Sequence, residues 1–220
     1  MPRFQIIERD EWLVELCRGK SVLHLGCSDA PWTESRAAQG KLLHQHLIPV
    51  ASRLTGVDTD AESIEVMREK FGMEDLHVMN AEELHPEAVG GTFDLVLACD
   101  VLEHLDNVGA FVGSCKRVLA DEGRLVITTP NAYAVKRFIG AALLGVEHVH
   151  ADHTAYFSPS TLAQIALRHD LEVTDTYGFM WSNPTARNRW ANRISRLAMA
   201  AVRRPALADE LAILARRRPD

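Results

Sequence analysis

No apolar run in this sequence approaches the ~20 residues that cross a bilayer. The first twelve residues, MPRFQIIERDEW, meet charges too early to form a signal-peptide core. These two absences predict an intracellular, cytoplasmic protein. Cysteine is scarce as well. Cys17, Cys27, Cys99 and Cys115 never fall in a C-x-x-C pair, so a zinc ribbon or dithiol redox motif is not indicated. Cys27 and Cys99 each end an apolar run, the setting of a buried free thiol. No segment repeats and none is of low complexity. Glycine is missing where a nucleotide-binding loop would use it. The stretch SVLHLGCSDAPWTES, Ser21 to Ser35, holds Gly26 alone, with His24 two residues ahead of it. By itself that stretch reads as a strand and an ordinary turn.

What is present is enough for one globular domain with a sizeable core: 220 residues, 47% of them hydrophobic. The net charge of -6 is unevenly spread. Residues 186–220 hold nine arginines against Asp209, Glu210 and Asp220, a balance of +6, which leaves -12 on the rest. An acidic body argues against a nucleic-acid grip. The expected division is a domain over residues 1–185 and a basic helical tail over 186–220. In the tail Trp190, Ile194, Leu197 and Ala201 recur at helical spacing among arginines. Such a tail suits a solvated helix, a partner protein or peripheral contact with an anionic membrane surface.

Along residues 20–180 short apolar runs alternate with stretches of helical spacing. SVLHL, LTGVD, LHVMN, FDLVLACD and RLVITTP read as strands, and LEVTDTYGFMW as a last one. EWLVELCRG, KLLHQHLIPVASR, DAESIEVMREKFG, NVGAFVGSCKRVLA and STLAQIALRHD read as helices, with Asp60, Asn107 and Ser160 as caps. Residues 132–158 form an insertion with an apolar helical half, expected as a lid, and a histidine-rich half. The alternation predicts an α/β, Rossmann-like, mostly parallel doubly wound sheet with helices on both faces. Ligands bind such sheets at the carboxyl ends of the strands. Functional residues should then fall at His24–Asp29, Asp58, Asn80–Glu82, Cys99–His104 and Thr128–Asn131.

Asp58 stands at the tip of the second strand, roughly 30 residues after the first loop, where a carboxylate can accept both hydroxyl protons of a ribose. Asp100, Glu103 and His104 lie at i, i+3 and i+4 and share a face if the chain turns helical there. At this point the sequence resembles the class I S-adenosylmethionine-dependent methyltransferases over roughly residues 20 to 180. VLHLGC, GVDTD, NAEEL, FDLVLACDVLEHL and LADEGRLVITTPN carry the resemblance. Within that family the sequence is most similar to ubiquinone-biosynthesis O-methyltransferases and to those of glycan and natural-product pathways. DHTAYFSPSTL matches their His-containing loop.

The resemblance implies S-adenosylmethionine as cofactor, held by His24, Gly26, Cys27, Asp29, Asp58, Thr59, Asn80, Ala81, Glu82 and Cys99. His24 stands where the family has an acid, and Ser28 where it has a second glycine. His24 and Asp29 are therefore expected to share the cofactor's ammonium. No hairpin partner is evident after Gly178, which leaves the expected sheet a strand short. For the chemistry three readings stay open. In the first, His104 or His153, with Glu103, is a general base for a hydroxyl. In the second, Asp100, Glu103, His104 and His153 are ligands of Mg²⁺, Mn²⁺ or Zn²⁺, the arrangement the resemblance implies. Or these groups only tie loops together. The acceptor is a small molecule, with a sugar or natural-product hydroxyl leading. N-methylation of an amino-sugar and a non-catalytic binding module are the alternatives.

Overall fold

Residues 4–146, 149–179 and 207–219 are described by the structure, a computed structural model. The chain runs β1 (Phe4–Ile6), α1 (Arg9–Cys17), β2 (Ser21–Leu25), α2 (Thr33–Ala38), α3 (Leu43–Leu47), β3 (Arg53–Asp58), α4 (Ala61–Phe71) and β4 (Leu76–Val78). It continues through β5 (Phe93–Cys99), α5 (Val108–Val118), β6 (Leu119–Pro130), α6 (Val135–Leu144), α7 (Pro159–Arg168), β7 (Leu171–Phe179) and β8 (Glu210–Arg217). Short 3-10 turns follow β4 at Ala81–Glu83 and β5 at Leu102–His104.

Strand side chains alternate between faces, and here both faces are apolar. Leu23, Leu25, Val96 and Ala98 pack with Phe111 and Cys115 of α5 and Leu162 of α7 on one side. Val22, Leu95 and Leu97 pack with Leu13 and Cys17 of α1 and Leu47 of α3 on the other. The eight strands form one sheet in the order β1-β7-β8-β6-β5-β2-β3-β4. β8 is antiparallel to both of its neighbours, and every other pair is parallel. From β2 the chain builds outward through β3 and β4, then returns to the other side of β2 with β5. The order reverses between β2 and β5, which puts the ligand crevice beyond Leu25 and Cys99.

Local signals explain most boundaries. Asp60 accepts the Ser63 N–H at 2.7 Å and opens α4, and Gly72 in the left-handed region closes it. Asn107 accepts the Ala110 N–H at 3.0 Å and opens α5. α7 is capped by Ser158 rather than Ser160, in a capping box with Thr161. The helix expected over KLLHQHLIPVASR shrinks to Leu43–Leu47. The DEG turn lies inside β6, where the pairing register with β5 jumps between Phe93 and Leu95. Gly123 is required there, because a Cβ would lie 2.7 Å from the Phe93 carbonyl oxygen.

The largest departure is at the C-terminus. The described part of the tail is no basic helix. Residues 210–217 form β8, inserted between β6 and β7, and Leu211 to Ala215 are buried. The sheet therefore has the strand that seemed to be missing, and the domain extends past residue 185. The amphipathic stretch from Trp190 to Ala201 lies outside the described residues. Among the described residues no helix is long and apolar enough to cross a membrane.

Candidate active site

A cleft of roughly 1490 Å³ opens at the carboxyl ends of β2, β3, β4 and β5. The fourteen residues read from the sequence as cofactor, metal or catalytic candidates line it: His24, Gly26, Cys27, Asp29, Asp58, Thr59, Asn80, Ala81, Glu82, Cys99, Asp100, Glu103, His104 and His153; of Thr128–Asn131 only Pro130 does.

On the β2 side Gly26 turns the chain with φ 67°, and a Cβ there would lie 2.7 Å from Val101 Cγ2 across the crevice. Only glycine brings the β2 and β5 loops this close. The second left-handed residue of the loop is Asp29, at φ 57°, and not Ser28. Serine therefore replaces glycine at 28 without strain and does further work. Its N–H and hydroxyl both donate to Asp58 Oδ2, at 3.0 and 2.7 Å. Asp58 Oδ1 accepts the Asp60 N–H at 3.1 Å. The carboxylate is thus held rigidly at the strand tip. Asn80 Oδ1 accepts the Glu82 N–H at 2.9 Å, which shapes the turn below β4. Burial pushes the Cys27 and Cys99 thiols up, that of Cys99 to about 11, so both stay neutral.

His24 and Asp29 do not form a shared pair. His24 is buried with its Nδ1 3.2 Å from Nδ1 of His44 in α3, and the two rings stack. Burial, then His44, holds the His24 pKa well down, and burial takes His44 to about 4. Both rings are neutral at pH 7, one donating to the other. The Asp29 carboxylate forms an ion pair with Arg36. Each has a partner of its own within the protein.

On the β5 side the strand ends in a left-handed Asp100, φ 54°, and a 3-10 turn. Asp100 is gripped by Arg9, whose Nη2 donates to its Oδ2 at 2.7 Å, and by the Thr128 hydroxyl at 3.1 Å. Arg9, from α1, also donates to Thr128 Oγ1 at 3.2 Å. Glu103 is 0% exposed. Its Oε2 accepts the Thr129 hydroxyl at 2.9 Å, while Oε1 is buried and has no hydrogen-bond partner among the described residues. Burial, then Asp100, pushes its carboxyl up to about 7.

The histidine-rich loop is sewn onto this turn. Thr154 donates its N–H to the Glu103 carbonyl at 2.8 Å, and Ala132 donates to the Phe157 carbonyl at 2.8 Å. The loop thereby sets His153 against His104, ring centroids 4.6 Å apart and perpendicular. His104 Nδ1 lies 3.1 Å from the Asp152 carbonyl, which can only accept, so Nδ1 carries the proton and Nε2 the lone pair. His153 Nδ1 is buried with no hydrogen-bond partner among the described residues, and burial, then His104, lowers its pKa. Glu103, His104 and His153 each offer a ligand atom within 4.8 Å of the others. Asp100 is not part of this group; Arg9 holds its carboxylate instead. His150 stands 4.9 Å from His153, ring to ring. His148 lies outside the described residues.

Two features of the cleft, Arg9 and the acids of β8, had not been singled out in the sequence, and the helix expected as a lid borders it through residues that had not been named. Arg9 provides the cation beside Asp100. α6 borders the cleft through Lys136, Arg137 and Gly140, with Lys136 paired to Asp209 at 2.8 Å and Arg137 over the Tyr156 ring. Asp209 and Glu210, at the head of β8, bring two more acids to the same end. The signal for the last pair was a DE step ahead of an apolar run, read as tail.

Comparisons with known proteins follow this geometry. Residues 8–176 match a family model described as a methyltransferase domain. An enzyme named ubiquinone biosynthesis O-methyltransferase from Glaesserella parasuis is 28% identical over 189 residues, 80% of this chain and 74% of that protein. One of the same name from Methylocella silvestris is 30% identical over 190 residues, 81% of this chain and 68% of that protein. In fold, the chain is similar to an S-adenosylmethionine-dependent methyltransferase from Clostridium acetobutylicum, at TM-score 0.62 and 11% identity over 96% of this chain and 91% of that one. It is also similar to 1,6-didemethyltoxoflavin-N1-methyltransferase of Burkholderia thailandensis, at TM-score 0.57 and 16% identity over 96% and 77%.

Proposed function

The chain belongs to the S-adenosylmethionine-dependent methyltransferases, and we propose that it methylates a hydroxyl of a small polar acceptor, with His104 as the general base. The observation that carries this reading is the contact of His104 Nδ1 with the Asp152 carbonyl, 3.1 Å away. With Nδ1 donating to the Asp152 carbonyl at 3.1 Å, the neutral ring presents the Nε2 lone pair. The O-methyltransferase names of the relatives support oxygen as the target.

The cofactor supplies a methyl on a sulfonium, whose leaving group departs as a neutral thioether. The chain's residues fit such a guest. Gly26 keeps the β2 loop free of a Cβ that would meet Val101, and Asp58 presents a fixed carboxylate for a ribose. Asn80 keeps its amide N–H₂ group for an adenine edge, its Oδ1 being taken by the Glu82 N–H. Arg9, at the far wall, is the cation suited to the cofactor's carboxylate. The bound cofactor would supply the methyl to the acceptor oxygen, and the chain's own part would be to receive that oxygen's proton at His104 Nε2. Burial lowers the basicity of the neighbouring His153, so that it stays neutral and does not repel a charged His104.

Glu103, His104 and His153 also fit a divalent ion. The three residues each bring a ligand atom within 4.8 Å of the others, and among the described residues two of them, Glu103 and His153, also have a buried atom without a hydrogen-bond partner. An ion there would acidify the acceptor hydroxyl as a Lewis acid. The donor set is one carboxylate and two imidazoles, since Asp100 is engaged by Arg9. A second reading, N-methylation of an amino-sugar, draws on the surplus of acids at this end of the cleft.

Transfer of labelled methyl from S-adenosylmethionine to hydroxyl and amine acceptors tests the reading. His104→Ala should lower kcat on a hydroxyl acceptor roughly 10²- to 10⁴-fold. Transfer confined to amines, or undiminished in His104→Ala, contradicts it. Activity that survives exhaustive chelation removes the ion and leaves the base.

A further inference from the structure

A surface helix ordinarily turns its apolar stripe inward and its charges to water. α6 does the reverse. Its two cations face the protein: Lys136 pairs with Asp209 at 2.8 Å, and the Arg137 guanidinium lies 3.8 Å from the centre of the Tyr156 ring. Its large apolar side chains stand outside, Phe138 at 70% and Leu143 at 75% exposure. Tyr133 ahead of the helix, and Val146 and Val149 after it, are exposed as well. Val146 and Val149 also line the cleft, so the apolar surface runs to its mouth. An exposed patch of this kind marks contact with a protein or a membrane.

Charge decides between the two. The helix, VKRFIGAALL, has no acid. The described chain stops at Phe179 and resumes at Leu207, and both ends lie beside α6. Phe179 is in register with Glu210, the Ala208 carbonyl accepts the Asn131 side-chain N–H at 2.7 Å just ahead of α6, and Asp209 holds Lys136. Between those ends the sequence has six arginines and no acidic residue. A second copy seated on α6 about a two-fold axis would set these cations against their own kind. A bilayer with anionic headgroups takes both the apolar side chains and the cations. We propose that the outer face of α6 docks on such a bilayer, with Phe138 and Leu143 entering the boundary between headgroups and acyl chains. The cleft mouth, which shares Val146 and Val149 with this face, is then held at the headgroups. The proposal stands whether oxygen or nitrogen is methylated.

The test floats the full chain with vesicles of phosphatidylcholine alone and of equal parts phosphatidylcholine and phosphatidylglycerol. Wild type should rise with the mixed vesicles and bind pure phosphatidylcholine at least about tenfold more weakly. Added salt should weaken the binding. Phe138→Ser combined with Leu143→Ser should lose at least about tenfold in affinity for the mixed vesicles, and Phe138→Leu should keep most of it. The variants should melt with wild type, since neither side chain is buried. If the double variant melts early, Leu143→Ser alone carries the comparison. Wild type that rises with neither vesicle overturns the proposal. So does equal affinity for the two vesicles, or a serine variant that binds as wild type does. A wild-type dimer in sedimentation that the serine variants dissociate, with no vesicle binding, overturns it in favour of a second copy.

Discussion

Glu103 carries opposing demands. It is fully buried, Thr129 satisfies one oxygen, and its carboxyl titrates at about 7 instead of 4.5. A carboxyl raised in this way takes up a proton on folding. Its neutral form favours the fold fully below about pH 4.5, and that contribution is lost as pH rises through 7. Glu103→Gln is neutral at every pH. It should therefore melt above wild type at pH 8, by on the order of 1–3 kcal/mol, and the gap should close at pH 4.5. The same substitution should depress methyl transfer. Parallel thermal melts and rates at the two pH values check both, and a variant less stable at pH 8 would contradict the assignment. Gly26→Ala acts differently. A left-handed alanine costs roughly 1–2 kcal/mol, and its Cβ would meet Val101. Cofactor affinity should fall along with Tm, as calorimetry and a thermal melt would show.

Among the elements, α7 depends on a capping box. Ser158 accepts the Thr161 N–H at 3.2 Å, and Thr161 Oγ1 accepts the Ser158 N–H at 2.9 Å. Ser158→Ala should cost about 1 kcal/mol in denaturant unfolding, whereas Ser160→Ala should be nearly silent. The sequence suggested Ser160, one of several small polar residues in FSPS, because only geometry distinguishes neighbouring caps. The parallel strands were legible because each was an apolar run between turn signals, and Asp58 and Glu103 fell after strands that could be read. β8 was not. Apart from Ile213, ELAILARR is made of Glu, Leu, Ala and Arg, all good helix formers. Both its faces are buried, so it shows no strand alternation. The pairing of Arg9 with Asp100 was also invisible, since it spans 91 positions. The His24–His44 contact depends on where a short α3 settles beneath the sheet.

At the scale of the whole molecule, β8 ties the C-terminus into the sheet. It pairs with β6 along Arg124 to Pro130 and with β7 along Leu171 to Phe179. A chain ending at residue 206 would lose those two ladders and expose the apolar surface they cover. It should fail to give a cooperative melt, followed by circular dichroism, where a dispensable tail would leave the transition unchanged. The same topology gathers the site. The reversal at β2 and β5 makes the crevice, the loop after α6 adds His153, and β8 adds Glu210. The account rests most of all on that crevice holding the cofactor, with Asp58 as its fixed carboxylate. Calorimetric titration of the full chain with S-adenosylhomocysteine measures this directly. Wild type should bind at one site, and Asp58→Ala should bind at least about tenfold more weakly, the loss expected of a charged hydrogen-bond acceptor. No heat from wild type, or equal affinity in the two proteins, would contradict it.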